Sequence, residues 1–262
     1  MRNPATTPPC GLRSVLTKLF PLFLGLVGHL AVSGQQYNSD SWISKPEGTI
    51  TIIPTVGQRN SMLMNTFSLV NRWEFTVAAY LYNDDGDVTT DDGYSASLFA
   101  KYMFWQMKAG NGGGAIKAGT GMFPGTAPVE DRVRDAFRTY WMNMPFTFPL
   151  FNNKVSWDLM PGATVTRQYG AEVGYTSAFT WSSRVAWYCF GPELGIVGEA
   201  YGSEGTAGAD PEYKIGLRWE PDQYTTFALT YGAEFDGGPN GPGIEFGIML
   251  FTPPFACLGG CK

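Results

Sequence analysis

The sequence predicts an all-β fold, a transmembrane antiparallel up-and-down β-barrel of about 12 strands that follows a cleaved signal peptide. Three observations predict it. The first 34 residues have the charge and apolarity profile of an export signal. The rest of the chain alternates apolar and polar residues with a period of two, as β-strands do. The connectors between the predicted strands tend to alternate between short and long, as they do in bacterial outer-membrane barrels.

Composition excludes several other classes of protein. Of 262 residues, 33 are glycine, 15% are aromatic and only 16% are charged. Ordinary soluble domains have about 7% glycine and about 25% charged residues. Because the glycines show no regular period, this composition excludes collagen, coiled coils and charged disorder, and it indicates many short strands joined by tight turns.

Residues 1–34 are predicted to be a secretory signal peptide. Their only charges are positive and precede the apolar stretch Leu19–Val32, which ends at the small residues Ser33 and Gly34. The alternative is a retained anchor helix. That helix would need about 20 apolar residues to cross a bilayer, and Pro21 interrupts the stretch.

Removal of the signal peptide changes what the chain can bind and catalyse. It leaves 15 of the 18 Lys and Arg against 23 Asp and Glu, a net charge of −8, which opposes binding to nucleic acid. It also removes His29, the only histidine. The mature chain is therefore expected to lack every histidine-dependent hydrolase, zinc and haem site.

Alternation with a period of two is clearest in four segments. Each places aromatic and branched residues on one phase and glycine, threonine and charged residues on the other, and the segments are Trp73–Leu81, Ala171–Cys189, Tyr213–Trp219 and Ile244–Leu250. The segment Ala171–Cys189 keeps its phase for 19 residues. That is longer than the 3–10 residues, roughly, of strands in soluble proteins, and it suits a tilted barrel strand.

The full pattern predicts 12 strands. They lie near residues 49–57, 61–70, 72–82, 94–108, 114–123, 138–149, 154–161, 171–189, 193–203, 212–220, 224–234 and 243–252. The connectors predicted to be long are Asn83–Gly93, Pro124–Phe137, Pro161–Gly170, Ser203–Pro211 and Phe235–Pro242. The first connector, Gln58–Asn60, is an exception because it is short where a long one is expected.

Charged residues on the polar phase are the candidate functional residues. They are Glu74, Lys154, Asp158, Glu172, Arg184, Glu199, Lys214, Arg218, Glu234 and Glu245. In a barrel these charges face the lumen, whereas in a soluble sandwich they face water. All except Lys154 and Glu234 are taken as lumen-lining residues that contact a permeant, and a salt-bridged interior that fills a narrow barrel is the alternative. Tryptophans on the opposite phase are expected to face lipid: Trp73, Trp157, Trp187 and Trp219.

Two further segments carry candidate residues. The long connector after the fifth strand has a helical apolar stripe, which would let Arg132, Arg134 and Asp135 face the pore as a constriction. A solvated external helix is the alternative. At the C-terminus Cys257 and Cys261 are spaced to close a small disulfide in an oxidising compartment, and no metal site or cofactor is expected.

Several short motifs resemble a known family. They are Phe67–Phe75, Gly119–Gly125, Tyr213–Trp219 and Gly243–Phe251. The chain resembles the outer-membrane barrels loosely named for phenol or aromatic meta-pathway degradation, which are regarded as transporters. The tail after Phe251 departs from that family, whose barrels usually end on an aromatic residue.

The resemblance and the residue patterns together imply a passive channel in the bacterial outer membrane. The expected permeants are small molecules, including hydrophobic or aromatic ones, the expected partners are lipid and lipopolysaccharide, and no enzymatic activity is expected. The expected organisation is a periplasmic segment at 35–47, the barrel at 48–252 and a tail at 253–262. Two alternatives remain open: a secreted β-sandwich that binds a ligand, and a closed structural barrel without transport.

Overall fold

The fold is described from a computed structural model of the chain. It covers residues 47–82, 93–109, 111–122, 137–169, 173–206, 208–238 and 241–254. The predicted signal peptide, Arg132, Arg134, Asp135, Glu172, Cys257 and Cys261 lie outside these residues and stay predictions. None of the described residues forms a helix long and apolar enough to cross a membrane.

The described chain is built from β-strands that pair antiparallel with one another. In order they are β1 (Thr49–Gly57), β2 (Asn60–Val70), β3 (Trp73–Tyr82), β4 (Gly93–Gln106), β5 (Gly113–Gly121), β6 (Thr139–Asn143), β7 (Phe146–Leu150), β8 (Val155–Leu159), β9 (Gly162–Tyr169), β10 (Val173–Trp187), β11 (Leu194–Gly205), β12 (Ala209–Asp222), β13 (Thr225–Glu234) and β14 (Gly243–Phe251).

Two of the barrel strands are interrupted by proline. β6 and β7 form one strand that breaks at Met144 and Pro145, and β8 and β9 form another that breaks at Met160 and Pro161. Proline has no backbone N–H, so it cannot complete the ladder. Neighbouring strands bridge both breaks, since the Ala115 N–H donates to the Pro145 carbonyl at 3.0 Å and the Met144 N–H donates to the Pro161 carbonyl at 2.9 Å.

These segments make 12 barrel strands, and the sheet closes on itself. β1 pairs with β2 on one side and with β14 on the other, where Thr51 lies opposite Phe251 and Thr55 opposite Gly247. The predicted fold class is therefore confirmed. The β-sandwich alternative is wrong, because one continuous sheet forms instead of two packed sheets.

Two predicted connectors are wrong. Residues 162–169 were expected in a loop, but they form β9, because the chain resumes its pairing with β6 and β10 after Pro161. The expected loop Ser203–Pro211 is also short, because β11 reaches Gly205 and β12 begins at Ala209. At the other three connectors predicted to be long, the ends of the flanking strands agree with the prediction: they are Tyr82 and Gly93, Gly121 and Thr139, and Glu234 and Gly243.

The sheet carries its apolar residues outside and its polar residues inside. In β3, Trp73, Phe75 and Val77 are exposed, whereas Glu74 and Thr76 between them are buried. In β10, Phe179 and Val185 are exposed and Arg184 is buried. This polarity is the reverse of a soluble domain and is the arrangement found in transmembrane barrels.

The interior also contains an apolar patch that the sequence did not predict. It consists of Ile53, Met62, Ala78, Tyr80, Met122 and Met249, and Met64 and Phe251 pack against it. Most of these residues lie on the inward phase of four neighbouring strands, β14, β1, β2 and β3, which they share with threonine and serine. The interior wall is therefore charged on some strands and apolar on others.

The first prediction tests closure of the sheet. Ile52 and Leu250 are register partners on β1 and β14. Opposed residues in antiparallel strands have Cα atoms about 4.5–5.5 Å apart, which suits a disulfide. With the native cysteines replaced by serine, Ile52→Cys combined with Leu250→Cys should cross-link the two ends of the barrel. Under non-reducing denaturing electrophoresis the linked chain should migrate faster than the reduced chain.

The matched control pairs Ile52→Cys with Ile215→Cys, which lies on β12 and is not a register partner of Ile52. This pair should not cross-link within one chain. If both pairs cross-link equally, or if neither pair cross-links, the pairing of β1 with β14 is contradicted.

Candidate functional site

Six of the eight predicted lumen residues have buried side chains on the inward face of the sheet. Glu74, Asp158, Arg184, Glu199, Lys214 and Glu245 are each 5% exposed or less. Arg218 is partly buried, and Glu172 lies outside the described residues. The structure thus brings together most of the charges that the alternation singled out, whereas their contact with a permeant stays a prediction.

Lys154 does not share this environment. It was expected on the polar phase of a strand, but it lies in the turn between β7 and β8 and is exposed. The cause is a tight turn in which Phe151, Asn152 and Asn153 adopt positive φ angles of 49°, 56° and 67°. Asparagine tolerates this left-handed conformation better than most residues, so the Asn-Asn pair ends β7 before Lys154.

Asp158 and Arg184 form a buried ion pair between β8 and β10. Arg184 Nη2 lies 2.6 Å from Asp158 Oδ2, and Arg184 Nε donates to the same oxygen at 2.7 Å. The hydroxyl of Thr147 donates to the other carboxylate oxygen. Asp158 is therefore held from both neighbouring strands, and its charge is compensated where water does not reach it.

Lys214 and Glu245 form a second pair between β12 and β14. Lys214 Nζ lies 2.8 Å from Glu245 Oε2, and each side chain is 1% exposed. The hydroxyl of Thr230, on the intervening strand β13, donates to Glu245 at 3.1 Å. Since an unpaired charge at such a depth is costly, this pair depends on both partners.

Register connects the two pairs into one charged row. Asp158 lies opposite Arg184, Arg184 opposite Glu199, and Glu199 opposite Lys214. Glu199 also accepts a hydrogen bond from Ser182 at 2.6 Å. Signs alternate from strand to strand along β8, β10, β11 and β12, so opposite charges face each other and stabilise the sheet.

A second row crosses the opposite part of the sheet, and we call it the lysine row. Its members are the register partners Glu74, Lys101, Lys117 and Asn143, on β3, β4, β5 and β6. Lys101 Nζ lies 2.5 Å from Glu74 Oε2. Lys117 Nζ lies 5.9 Å from the centre of the Phe99 ring, within range of a cation–π contact.

Sequence reasoning missed Lys101, Lys117 and Asn143. In β4 the inward phase contains Phe99 and Met103 as well as Lys101, so it does not look polar. Strand pairing would have found the missed residues, because Lys101 falls opposite Glu74 once the hairpin of β3 and β4 is aligned. Lys117 and Asn143 then follow as the next partners in the same row.

Arg218 belongs to a separate cluster near the end of the barrel that carries the connectors predicted to be short. Arg218 Nε donates to Glu220 at 2.7 Å, and the Tyr188 hydroxyl donates to the same carboxylate oxygen at 2.8 Å. This cluster is more exposed than the charged row, so its charges interact more weakly. Within the described residues no group of three or more potential metal ligands lies together.

The predicted lipid-facing tryptophans point outward. Trp73, Trp157 and Trp187 are exposed, and Trp219 is partly buried and stacks on Phe227 with ring centres 5.3 Å apart. Trp73 packs on Phe75 and Tyr102. Aromatic side chains at such positions fit the girdles that flank the apolar band of membrane barrels.

The solved structures that align with this chain include outer-membrane channels and porins. An outer-membrane channel from Pseudomonas putida F1 aligns with a TM-score of 0.54 at 11% identity over 82% of this chain and 99% of that chain. The NanC porin aligns at 0.49, with 10% identity over 78% and 99% of the two chains. The KdgM porin aligns at 0.49, with 11% identity over 77% and 98%.

In sequence, no protein-family model matches the chain and no curated protein matches it. The likeness to the Pseudomonas channel, at 11% identity, is a likeness of fold. Together with the apolar exterior and the charged interior, it identifies the chain as a β-barrel of the outer-membrane type. The narrower resemblance to barrels named for phenol or aromatic meta-pathway degradation stays a prediction.

The second prediction tests the buried pair of Lys214 and Glu245. Lys214→Met should lower the free energy of unfolding of the refolded barrel by about 3–5 kcal/mol, because it leaves a buried carboxylate without its partner. The double variant Lys214→Met/Glu245→Leu should lose much less than the sum of the two single variants. Denaturant unfolding in detergent micelles measures all three.

Lys154→Met, the same change at an exposed turn, is the control and should alter stability by less than about 0.5 kcal/mol. Strictly additive losses in the double variant would mean that the two side chains do not stabilise each other.

Proposed function

We propose that the protein is an outer-membrane channel through which small molecules diffuse passively. The observation that carries the proposal is the reversed polarity of the closed sheet, in which ion pairs such as Asp158–Arg184 and Lys214–Glu245 are inside and large apolar side chains are outside. Lipid would contact the apolar exterior, and lipopolysaccharide its outer rim. We propose no covalent chemistry for the barrel.

The charged interior would select permeants by size and polarity. Charged side chains that pair with one another need fewer water molecules around them. They still offer hydrogen-bond donors and acceptors to a solute that passes between them. A barrel of 12 strands leaves a narrow lumen, since 8 strands are filled by their own side chains. Permeation would therefore require small solutes and local movement of the interior side chains, so the unit conductance should be low.

One observation favours a second candidate, a closed structural barrel without transport. The six interior charges named above are each 5% exposed or less, as expected if side chains fill the lumen. Both candidates share the fold and the membrane setting. They differ only in whether solute crosses, so a conductance measurement separates them.

The third prediction concerns ion selectivity. The refolded protein should conduct in planar lipid bilayers, and Arg184→Ala should shift the reversal potential in a salt gradient toward cation selectivity. The reason is that removing the guanidinium leaves the Asp158 carboxylate uncompensated in the lumen. Arg218→Ala should act in the same direction, but less, because Arg218 is more exposed.

Lys154→Ala removes the same charge at an exposed turn and should leave the reversal potential unchanged. An unchanged potential in Arg184→Ala would mean that Arg184 does not line the path of the ions. Complete absence of conductance from protein that is folded, as judged by its heat-dependent mobility on gels, would support the closed barrel.

A further inference from the structure

We infer that the lysine row and its continuation form a binding site for small organic carboxylates inside the barrel. The site comprises Lys101, Lys117, Asn143, Gly162 and Thr180, on β4, β5, β6, β9 and β10. The inference deepens the proposed channel function, because it assigns the class of permeant. Binding itself can be measured without transport, so the two proposals can fail separately.

Register places the five residues in one continuous line across the interior wall. Lys101 lies opposite Lys117, Lys117 opposite Asn143, Asn143 opposite Gly162, and Gly162 opposite Thr180. All four side chains in this line are buried at 4% exposure or less. Two lysines, one asparagine and one threonine thus occupy neighbouring positions on the interior wall, and their side chains are buried.

Unsatisfied polar atoms point to a ligand at this line. Among the described residues, neither the nitrogen nor the oxygen of the Asn143 amide has a hydrogen-bond partner, although the side chain is 0% exposed. The Thr180 hydroxyl, 3% exposed, likewise lacks a partner in the described part of the chain. A buried polar group without a partner costs about 1–3 kcal/mol, so three such atoms in one place need an explanation.

Gly162 brings the unsatisfied groups together. A Cβ atom at this position would lie 2.7 Å from Asn143 Cβ and 2.7 Å from the Thr180 hydroxyl oxygen. Only a residue without a side chain lets Asn143 and Thr180 approach each other across β9. The side chains of Asn143 and Thr180 therefore flank the same point, and Lys117 is the register partner of Asn143 on β5.

The donors among these groups favour an anion with two oxygens. Lysine ammonium, amide N–H and hydroxyl groups can all donate, and charge-assisted hydrogen bonds to a carboxylate are roughly twice as strong as neutral ones. A carboxylate would accept from the Asn143 amide N–H and the Thr180 hydroxyl, two of the three unsatisfied atoms, whereas the amide oxygen is itself an acceptor. A cation is disfavoured beside Lys101 and Lys117. The line ends at Glu74, whose carboxylate lies 2.5 Å from Lys101 and would confine an anion to the Lys117 end.

The neighbouring inward row supplies an apolar surface for the rest of the ligand. Phe99, Gly119 and Trp141 are successive register partners two residues from Lys101, Lys117 and Asn143. The rings of Phe99 and Trp141 have their centres 5.1 Å apart, and a Cβ on Gly119 would lie 2.9 Å from Trp141. A carboxylate that carries a planar apolar body fits this pair of rows better than a small inorganic anion.

The test measures binding of benzoate, acetate and benzamide to the refolded full-length barrel in detergent micelles by isothermal titration calorimetry. Benzoate should bind more tightly than acetate, because it also contacts the aromatic row. Benzamide, which has the same shape without the charge, should bind at least tenfold more weakly than benzoate. Asn143→Leu and Lys117→Met should each raise the Kd for benzoate about tenfold.

A stability measurement separates a binding role of Asn143 from a structural one. Asn143→Leu replaces unsatisfied polar atoms by an apolar group of similar size, so resistance to denaturant should stay equal or rise while affinity falls. Lys117→Arg keeps the positive charge and should restore most of the affinity that Lys117→Met loses. Lys154→Met, at the exposed turn, should bind benzoate like the unchanged protein.

Two outcomes would overturn the inference: no measurable benzoate binding, or equal benzoate affinity in Asn143→Leu and the unchanged protein. Either would mean that only water occupies the line. If benzoate binds as expected but the barrel does not conduct, the binding site is supported and the channel function is rejected. If the barrel conducts but does not bind benzoate, the channel function is supported and the binding site is rejected.

Discussion

Closure of the sheet is the constraint on which the rest of the structure depends. In a bilayer no water is available to satisfy a strand edge, so every backbone N–H and C=O must pair within the protein. Pairing of β1 with β14 removes the two edges that the sheet would otherwise have. The proline breaks at Pro145 and Pro161 are tolerated for the same reason, because β5 and the neighbouring break supply partners for the exposed groups.

Closure of the sheet also determines that the charged residues of the strands lie on its interior face. Once one face of a period-two strand is turned to lipid, the other face must enclose a narrow interior, and charges placed there cannot spread into bulk water. They are stabilised by one another instead, as in the pairs Asp158–Arg184, Lys214–Glu245 and Glu74–Lys101. Where the residues of a row do not pair, as at Asn143 and Thr180, the interior holds polar atoms that a permeant could use.

Much of this arrangement could be predicted from the sequence, because period-two alternation is a local property. It located 12 strands and seven of the buried charges, among them Glu74 and Glu245. It failed where the outcome depends on partners distant in sequence. The sequence around Pro161 looks like the start of a loop, yet pairing with β6 and β10 continues the strand. Lys117 looks like an isolated charge until β4 and β6 are aligned with β5.

The whole arrangement requires that the apolar phase of each strand faces lipid and that the polar phase faces the interior. Site-directed spin labels along β10, in protein reconstituted into lipid bilayers, test it directly. Collision rates with oxygen, which concentrates in lipid, should alternate with a period of two: high at Phe179, Ser183 and Val185, and low at Thr180 and Ser182. Equal rates along the strand, or higher rates at Thr180 and Ser182 than at their neighbours, would contradict the account.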